Sequence, residues 1–218
     1  MHTATYGSAV FGISAHTITI EVNIAKGIGY HLVGLPDNAV NESNYRIAAA
    51  LANIGFKLPG KKITINLAPA DLRKKGSAYD LPIALGILVA SGQTQGDQLS
   101  EYIIMGELAL DGAISPIKGA LPIAIQARAE GYKGFILPKE NTTEAAVVNQ
   151  LHVYGVGHLS EVIDFFSGKK SKTKPLWTHA KSLKVNLPLL DWTIVMSKDR
   201  KGSNDVWRLL PQVDTTSS

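Results

Sequence analysis

The stretch from Lys61 to Gly92, KKITINLAPADLRKKGSAYDLPIALGILVASG, constrains the fold of this chain most. Its opening alternates apolar and polar residues around β-branched Ile63, Thr64 and Ile65, which suits a pleated strand whose successive side chains leave on opposite faces. Its second half, Tyr79 to Gly92, is an apolar run too long for an ordinary buried strand, so it reads as a helix closed by Gly92. Between them stand three cations, Arg73, Lys74 and Lys75, and a Gly-Ser-Ala turn. A strand leading into an apolar helix is the signature of an α/β domain.

The flanking sequence repeats the alternation. AVFGISAHTITIEVNI, Ala9 to Ile24, gives one or two strands broken near Gly12 to Ala15. YHLVGLPDNAV gives a short strand, a Gly-Leu-Pro turn and Asp37 placed to start a helix over roughly Asn38 to Ile54, with Gly55 to stop it. On that helix Glu42 and Arg46 are spaced to form an i,i+4 pair. YIIMGELALDGAISPI reads as one hairpin turning at Asp111-Gly112, where one or both of the flanking Glu107 and Asp111 serve the turn in preference to acid-base chemistry. LPIAIQARAEG is a helix, GFILPKEN a strand and turn, TTEAAVV a short helix, LHVYGV a strand and LSEVIDFFSG a last helix. A mixed α/β domain over residues 1–168 is expected.

With 218 residues, 45% of them hydrophobic, the chain has enough apolar material for a large core. It has no cysteine, so disulfides and thiolate metal sites are excluded, and its six histidines show no metal-ligand spacing. No metal is assigned. No leader-like start and no run approaching roughly eighteen apolar residues is present, so a cytoplasmic protein without a membrane partner is expected. The formal charge of +4 permits an anionic partner without requiring one.

Residues 169–218 differ in kind. After GKKSKTK no Glu occurs, and all three Trp residues (Trp177, Trp192 and Trp207) lie beyond Lys174.

Taken together, VGLPDNAVNES, ITINLAPADLRKKGSAYDLPIALG, GELALDGAISPIKGALP and GFILPKEN resemble the N-terminal domain of the Mg-chelatase-like AAA+ ATPases, the YifB/ComM family. The likeness runs from roughly Tyr6 to Gly168. It implies a mixed sheet with packed helices, the fold shared by the Lon protease catalytic domain, domain 2 of ribosomal small-subunit protein five and the C-terminal domain of RadA. It also implies a P-loop ATPase module further along, with ATP and Mg as cofactors of the full-length family, and membership in ring-forming motors that drive branch migration on DNA. The segment GKKSKT does not fit G-x-x-x-x-G-K-[ST], nor does any other in the 218 residues, so these residues are expected to hold no ATP and to hydrolyse none.

The genetic code connects the tail to the same family. If each codon is read from its third base, Trp207 lends a G to the first two bases of Arg208, and that junction encodes Glu or Ala. Continuing, VWRLLPQVDTTSS is compatible with LEIAAAGGHNII, which resembles the family's lead into its P-loop. The same shift makes LDWTIVMSKDRKGSND compatible with LDYSDVKGQERVKR, the expected linker. Residues from about Pro175 onward are therefore expected to be a frameshifted reading; a divergent tail is the alternative.

The resemblance to Lon-type proteases raises a nucleophile question. Such enzymes activate a Ser hydroxyl with a desolvated Lys. Laying GSAYD on their Ser turn puts Ala78 at the nucleophile position, and laying IKGALPIA on their Lys motif puts Leu121 at the base position, with Lys118 three residues earlier a surface charge. No catalytic residue is expected; a residual serine peptidase is the enzyme alternative, and a purely structural oligomerisation module is a third reading. Ser77 and Asp80 read as turn or helix-cap residues. Arg73, Lys74 and Lys75, with Lys61 and Lys62 across the strand, would make one positive patch if the turn folds back. That patch reads either as a solvated loop or, given the family's DNA-acting members, as a DNA-phosphate contact. In the full-length form a homo-oligomeric ring is expected, with the Leu35-Pro36-Asp37 turn as a candidate subunit contact.

Overall fold

Strand β1, His2–Phe11, turns back through Gly12 and Ile13 into β2, Ser14–Ala25, so that Phe11 faces Ser14 across a two-residue connection. Gly12 takes φ 61, a conformation that side-chain-bearing residues avoid in such tight hairpins. A computed structural model of the chain describes residues 2–168; the expectations for residues 169–218 lie outside these. The further strands are β3 (Gly29–Val33), β4 (Lys62–Ala68), β5 (Tyr102–Ile104), β6 (Glu107–Leu108), β7 (Ile114–Ser115), β8 (Gly134–Pro138) and β9 (His152–Val156).

Seven strands form one mixed sheet in the order β3-β4-β2-β1-β5-β8-β9. The β4-β2-β1 pairings are antiparallel; the β3-β4, β1-β5, β5-β8 and β8-β9 pairings are parallel. The fold is thus mixed α/β, as the alternation of segments implies.

Helices cover both faces. Because neighbouring side chains on β1 point opposite ways, Thr5 donates to the carbonyl of Pro82 in α3 (Asp80–Ala90), whereas Val10 meets Gly119 at the start of α4 (Ala120–Ala129). Helix α3 is buried on almost every side: Asp80 through Leu88 are all inaccessible. Burying each of Ile83, Leu85, Ile87 and Leu88 contributes about 1.5–3 kcal/mol, so this helix anchors the core. The shorter helices α5 (Thr142–Ala145) and α6 (Leu159–Phe166) follow β8 and β9. Among the described residues no helix is long and apolar enough to cross a membrane.

Two segments depart from the sequence reading. The helix expected over Asn38 to Ile54 divides into α1 (Asn38–Asn41) and α2 (Ser43–Asn53). At the joint the Tyr45 N–H is shared between the Asn44 side chain at 2.9 Å and the Glu42 carbonyl three residues back at 3.1 Å. The single hairpin expected from Tyr102 onward also divides. Strand β5 joins the main sheet between β1 and β8, and only β6 and β7 form the ribbon, its turn held by Asp111 Oδ1 accepting the Ala113 N–H at 2.9 Å.

Candidate functional site

Two loops meet beyond the C-terminal ends of the parallel pair β3 and β4. Gly34 leaves β3 at φ 102, where an added Cβ would stand 2.1 Å from the Leu67 carbonyl oxygen. Only glycine lets the chain cross β4 that closely. Leu35 then accepts the Lys74 N–H at 3.1 Å, and the Asp37 N–H donates to the Lys74 carbonyl at 3.0 Å. The Asp37 carboxylate divides its work: Oδ1 caps α1 by accepting the Val40 N–H, and Oδ2 accepts the Gly76 N–H, each at 2.9 Å. The Leu-Pro-Asp turn and the basic turn are therefore one tied unit.

That tie decides which cations face water. Lys74 is 0% exposed, and its ammonium donates to the Pro69 carbonyl. Burial holds its pKa below the ordinary value, with nearby Asp71 opposing. Arg73 and Lys75, on either side, are exposed. Lys61 and Lys62 are also exposed, but they sit where β4 begins. At about 3.3 Å per residue, the strand holds them about 20 Å from its far end. The single five-cation patch does not form: the turn is tied to β3's exit instead of folding back. Lys74 is an interior residue, and the other four stand in two separate places.

Behind the turn lies an ion pair that local sequence spacing does not reveal. Asp80 opens α3 with its side chain fully buried, and Arg46 of α2 grips it with two bonds, Nε to Oδ2 at 2.6 Å and Nη2 to Oδ1 at 2.9 Å. Arg46 also donates to the Ala39 carbonyl at 2.7 Å, so it does not make the expected pair with Glu42 its anchor. The Leu108 N–H approaches Asp80 Oδ2 at 3.4 Å. Burial pushes the Asp80 carboxyl up to about 6, against the lowering effect of Arg46 and the Leu108 N–H, while Asp80 in turn raises the Arg46 guanidinium. The pair joins α2, α3 and β6. A sequence signal existed: Asp80 is the lone charge in an otherwise uncharged helical run, and a buried carboxylate requires a partner.

Ser77 and Asp80 do not cap α3. Ser77 opens a 3-10 turn, Ser77–Tyr79, and its hydroxyl donates to the Glu107 carboxylate across to β6. Glu107 thus serves this cross-link, whereas Asp111 serves the ribbon's turn. Ala78 is half-buried, its carbonyl accepting the Gly106 N–H at 2.8 Å. Leu121 is half-buried in the first turn of α4, its N–H donating to Glu144 Oε1 at 3.0 Å, and Lys118 is exposed. Neither aliphatic side chain supplies a nucleophile or a base. The Ser77 hydroxyl is bonded to the Glu107 carboxylate and the Lys74 ammonium to the Pro69 carbonyl, while Lys75, the lysine nearest Ser77 in sequence, is exposed. Among the described residues no group of three or more His, Asp or Glu is arranged to hold a metal ion.

Comparison with known proteins places this geometry in context. Residues 20–141 match the family model described as subunit ChlI of Mg-chelatase. The chain is 43% identical over 184 residues to a protein from Escherichia coli K12 named uncharacterized protein YifB, covering 84% of this chain and 36% of that protein. It is 42% identical over 166 residues to competence protein ComM of Haemophilus influenzae, covering 76% and 32%. An uncharacterized protein of Mycobacterium tuberculosis matches at 37% over 164 residues, covering 75% and 33%. The chain spans about a third of the length of the curated relatives it matches.

Proposed function

The chain belongs to the Mg-chelatase ChlI-like family, as the N-terminal domain seen in its YifB and ComM relatives, and from that premise we propose that it contributes DNA contact and ring assembly to a Mg-chelatase-like AAA+ protein without performing catalysis itself. The observation that carries the DNA contact is the tied basic turn. Three backbone-anchored hydrogen bonds fix its path, and the burial of Lys74 leaves Arg73 and Lys75 exposed on a fixed base. Such a base lowers the ordering cost of a phosphate contact, which needs donors and positive charge but no base-specific geometry.

Ala78 and Leu121 support the non-catalytic part of the reading, since the family's protease-like positions carry hydrocarbon. ATP and Mg belong to the full-length family; the P-loop that would hold them has no counterpart in these 218 residues. For ring assembly the candidate surface is the open edge of the sheet, where β3 and the turn after it expose Val33 and Leu35. Oligomer formation without DNA, unaffected by charge changes at the turn, would favour the purely structural reading.

The test is fluorescence anisotropy with single-stranded, duplex and branched DNA at several salt concentrations. R73Q/K75Q is expected to weaken binding to all DNA forms it touches and to flatten the salt dependence by about 2 in log–log slope, at 0.9 per cation removed. Absence of binding to every DNA form refutes the reading. Peptidase activity abolished by S77A would establish the enzyme alternative in its place.

A further inference from the structure

Charge is unevenly placed along the chain. Residues 2–168 hold twelve Lys and Arg against fourteen Asp and Glu, a formal net of −2, whereas residues 169–218 hold ten against four, a net of +6. The basic character of the whole chain therefore says nothing about residues 2–168, which are slightly acidic. Against that background, four of their twelve cations gather at one end of the sheet.

Lys26 follows Ala25, the cross-strand partner of Lys62. Lys61 precedes Lys62, and Lys57 stands on the loop that leads into them. That loop borders a cavity of about 370 Å³ with Lys57, Lys61, Ser91 and Gln93 in its wall. Gln93 fixes the loop by accepting the Lys57 N–H at 3.1 Å and donating to the Lys57 carbonyl at 2.9 Å. All four lysines are exposed, and none forms an ion pair with a described acid. Elsewhere, Lys133 and Lys139 are paired with Glu101 and Glu161.

We propose that this end of the sheet is a second nucleic-acid contact, in which Lys26, Lys57, Lys61 and Lys62 grip a phosphate backbone at a site separate from the Arg73 and Lys75 turn. The inference rests on the reading that the domain meets DNA, and adds to it a surface at the opposite end of β4. Duplex DNA carries a charge for about every 1.7 Å of its axis, so a compact group of unpaired cations meets several phosphates at once and releases their counterions. An acidic peptide offers at most one carboxylate per residue. A local structural role also exists for these lysines, because α2 and α3 end nearby at Asn53 and Ala90, and cations favour helix C-termini. That role predicts a change in stability and none in salt dependence.

The experiment uses the full 218-residue chain and a 30-base-pair duplex, with anisotropy read between 50 and 200 mM NaCl and thermal unfolding followed by circular dichroism. Cations of residues 169–218 give every variant the same background, so differences in slope isolate each surface. K26Q/K57Q/K61Q/K62Q is expected to reduce the log–log slope by about 3 to 4 and R73Q/K75Q by about 2, at 0.9 per cation, with the melting midpoint of the quadruple variant unchanged. A quadruple variant that keeps the wild-type slope while R73Q/K75Q loses its share overturns this second surface and leaves the first standing. A quadruple variant with an unchanged slope and a lowered midpoint assigns the lysines to the helix ends, which also overturns it. Poly-glutamate competing as well as DNA at equal charge concentration overturns the nucleic-acid assignment. Wild-type protein that binds no DNA removes both surfaces together.

Discussion

Replacing Arg46 by Ala tests the central electrostatic feature of the fold. In R46A the fully buried Asp80 loses the bonds at 2.6 and 2.9 Å and keeps only the Leu108 N–H at 3.4 Å among its described partners. Breaking a buried pair from one side costs about 3–5 kcal/mol. That is about a fifth or more of the roughly 5–15 kcal/mol that holds an ordinary domain folded. The cost depends on pH with a defined sign. Asp80 is raised from about 3.9 unfolded to about 6 folded. The stability it contributes is complete below the unfolded value and lost as pH rises through about 6. Removing Arg46 removes the strongest influence holding that pKa down, so R46A continues to lose stability above pH 6, where wild type has levelled off. Urea unfolding followed by circular dichroism should show a loss of about 3–5 kcal/mol at pH 8. At pH 5, where the variant's Asp80 is protonated, about 1–2 kcal/mol remains, the worth of a lost hydrogen bond. R46A/D80N should recover part of the loss at pH 8. A loss under about 1 kcal/mol at pH 8, or an equal loss at both pH values, refutes this account.

Three further outcomes are expected. K74M keeps the buried aliphatic stem and removes only the ammonium, so it should leave DNA affinity unchanged in the anisotropy assay and shift stability by no more than about 1 kcal/mol; K74E should prevent folding. G34A places a methyl group 2.1 Å from the Leu67 carbonyl at a positive φ and should cost more than about 3 kcal/mol in urea unfolding, with the Leu35 and Asp37 ties to the basic turn released. The coding sequence downstream of Gly168, read one frame over from about Pro175, should encode the family linker and its approach to a P-loop; bases that do not encode it establish a divergent tail.

The boundaries of β4 and α3 were readable because the period changes sharply from two to helical at the turn between them. The cap at Asp37 was equally legible, since an Asp ahead of a helix has one dominant local use. What escaped was non-local. Arg73, Lys74 and Lys75 are alike in sequence, and only the ladder to Leu35 and Asp37, some forty residues away, turns the middle one inward. Arg46 sits in the expected register with Glu42, yet a carboxylate buried 34 positions later outcompetes an exposed neighbour, because burial leaves Asp80 no water to fall back on. Tyr102–Ile104 reads as the arm of a hairpin until β1 and β8 are known to offer it a place between them.

The β1-β5 border has a consequence for synthesis. β1 pairs with β2 along ten residues, but with β5 through the single register pair Tyr6 and Ile103. Every strand on one side of that seam comes from residues 2–68, and every one on the other from residues 102–156. At about 5–20 residues per second, a translating ribosome completes the first half-sheet about 2–7 s before it begins the second. Throughout that interval β1 is an unpaired edge, a template open to any passing strand. The emergence of Tyr102–Ile104 covers β1 and passes the open edge to β5, until β8 pairs with it in turn.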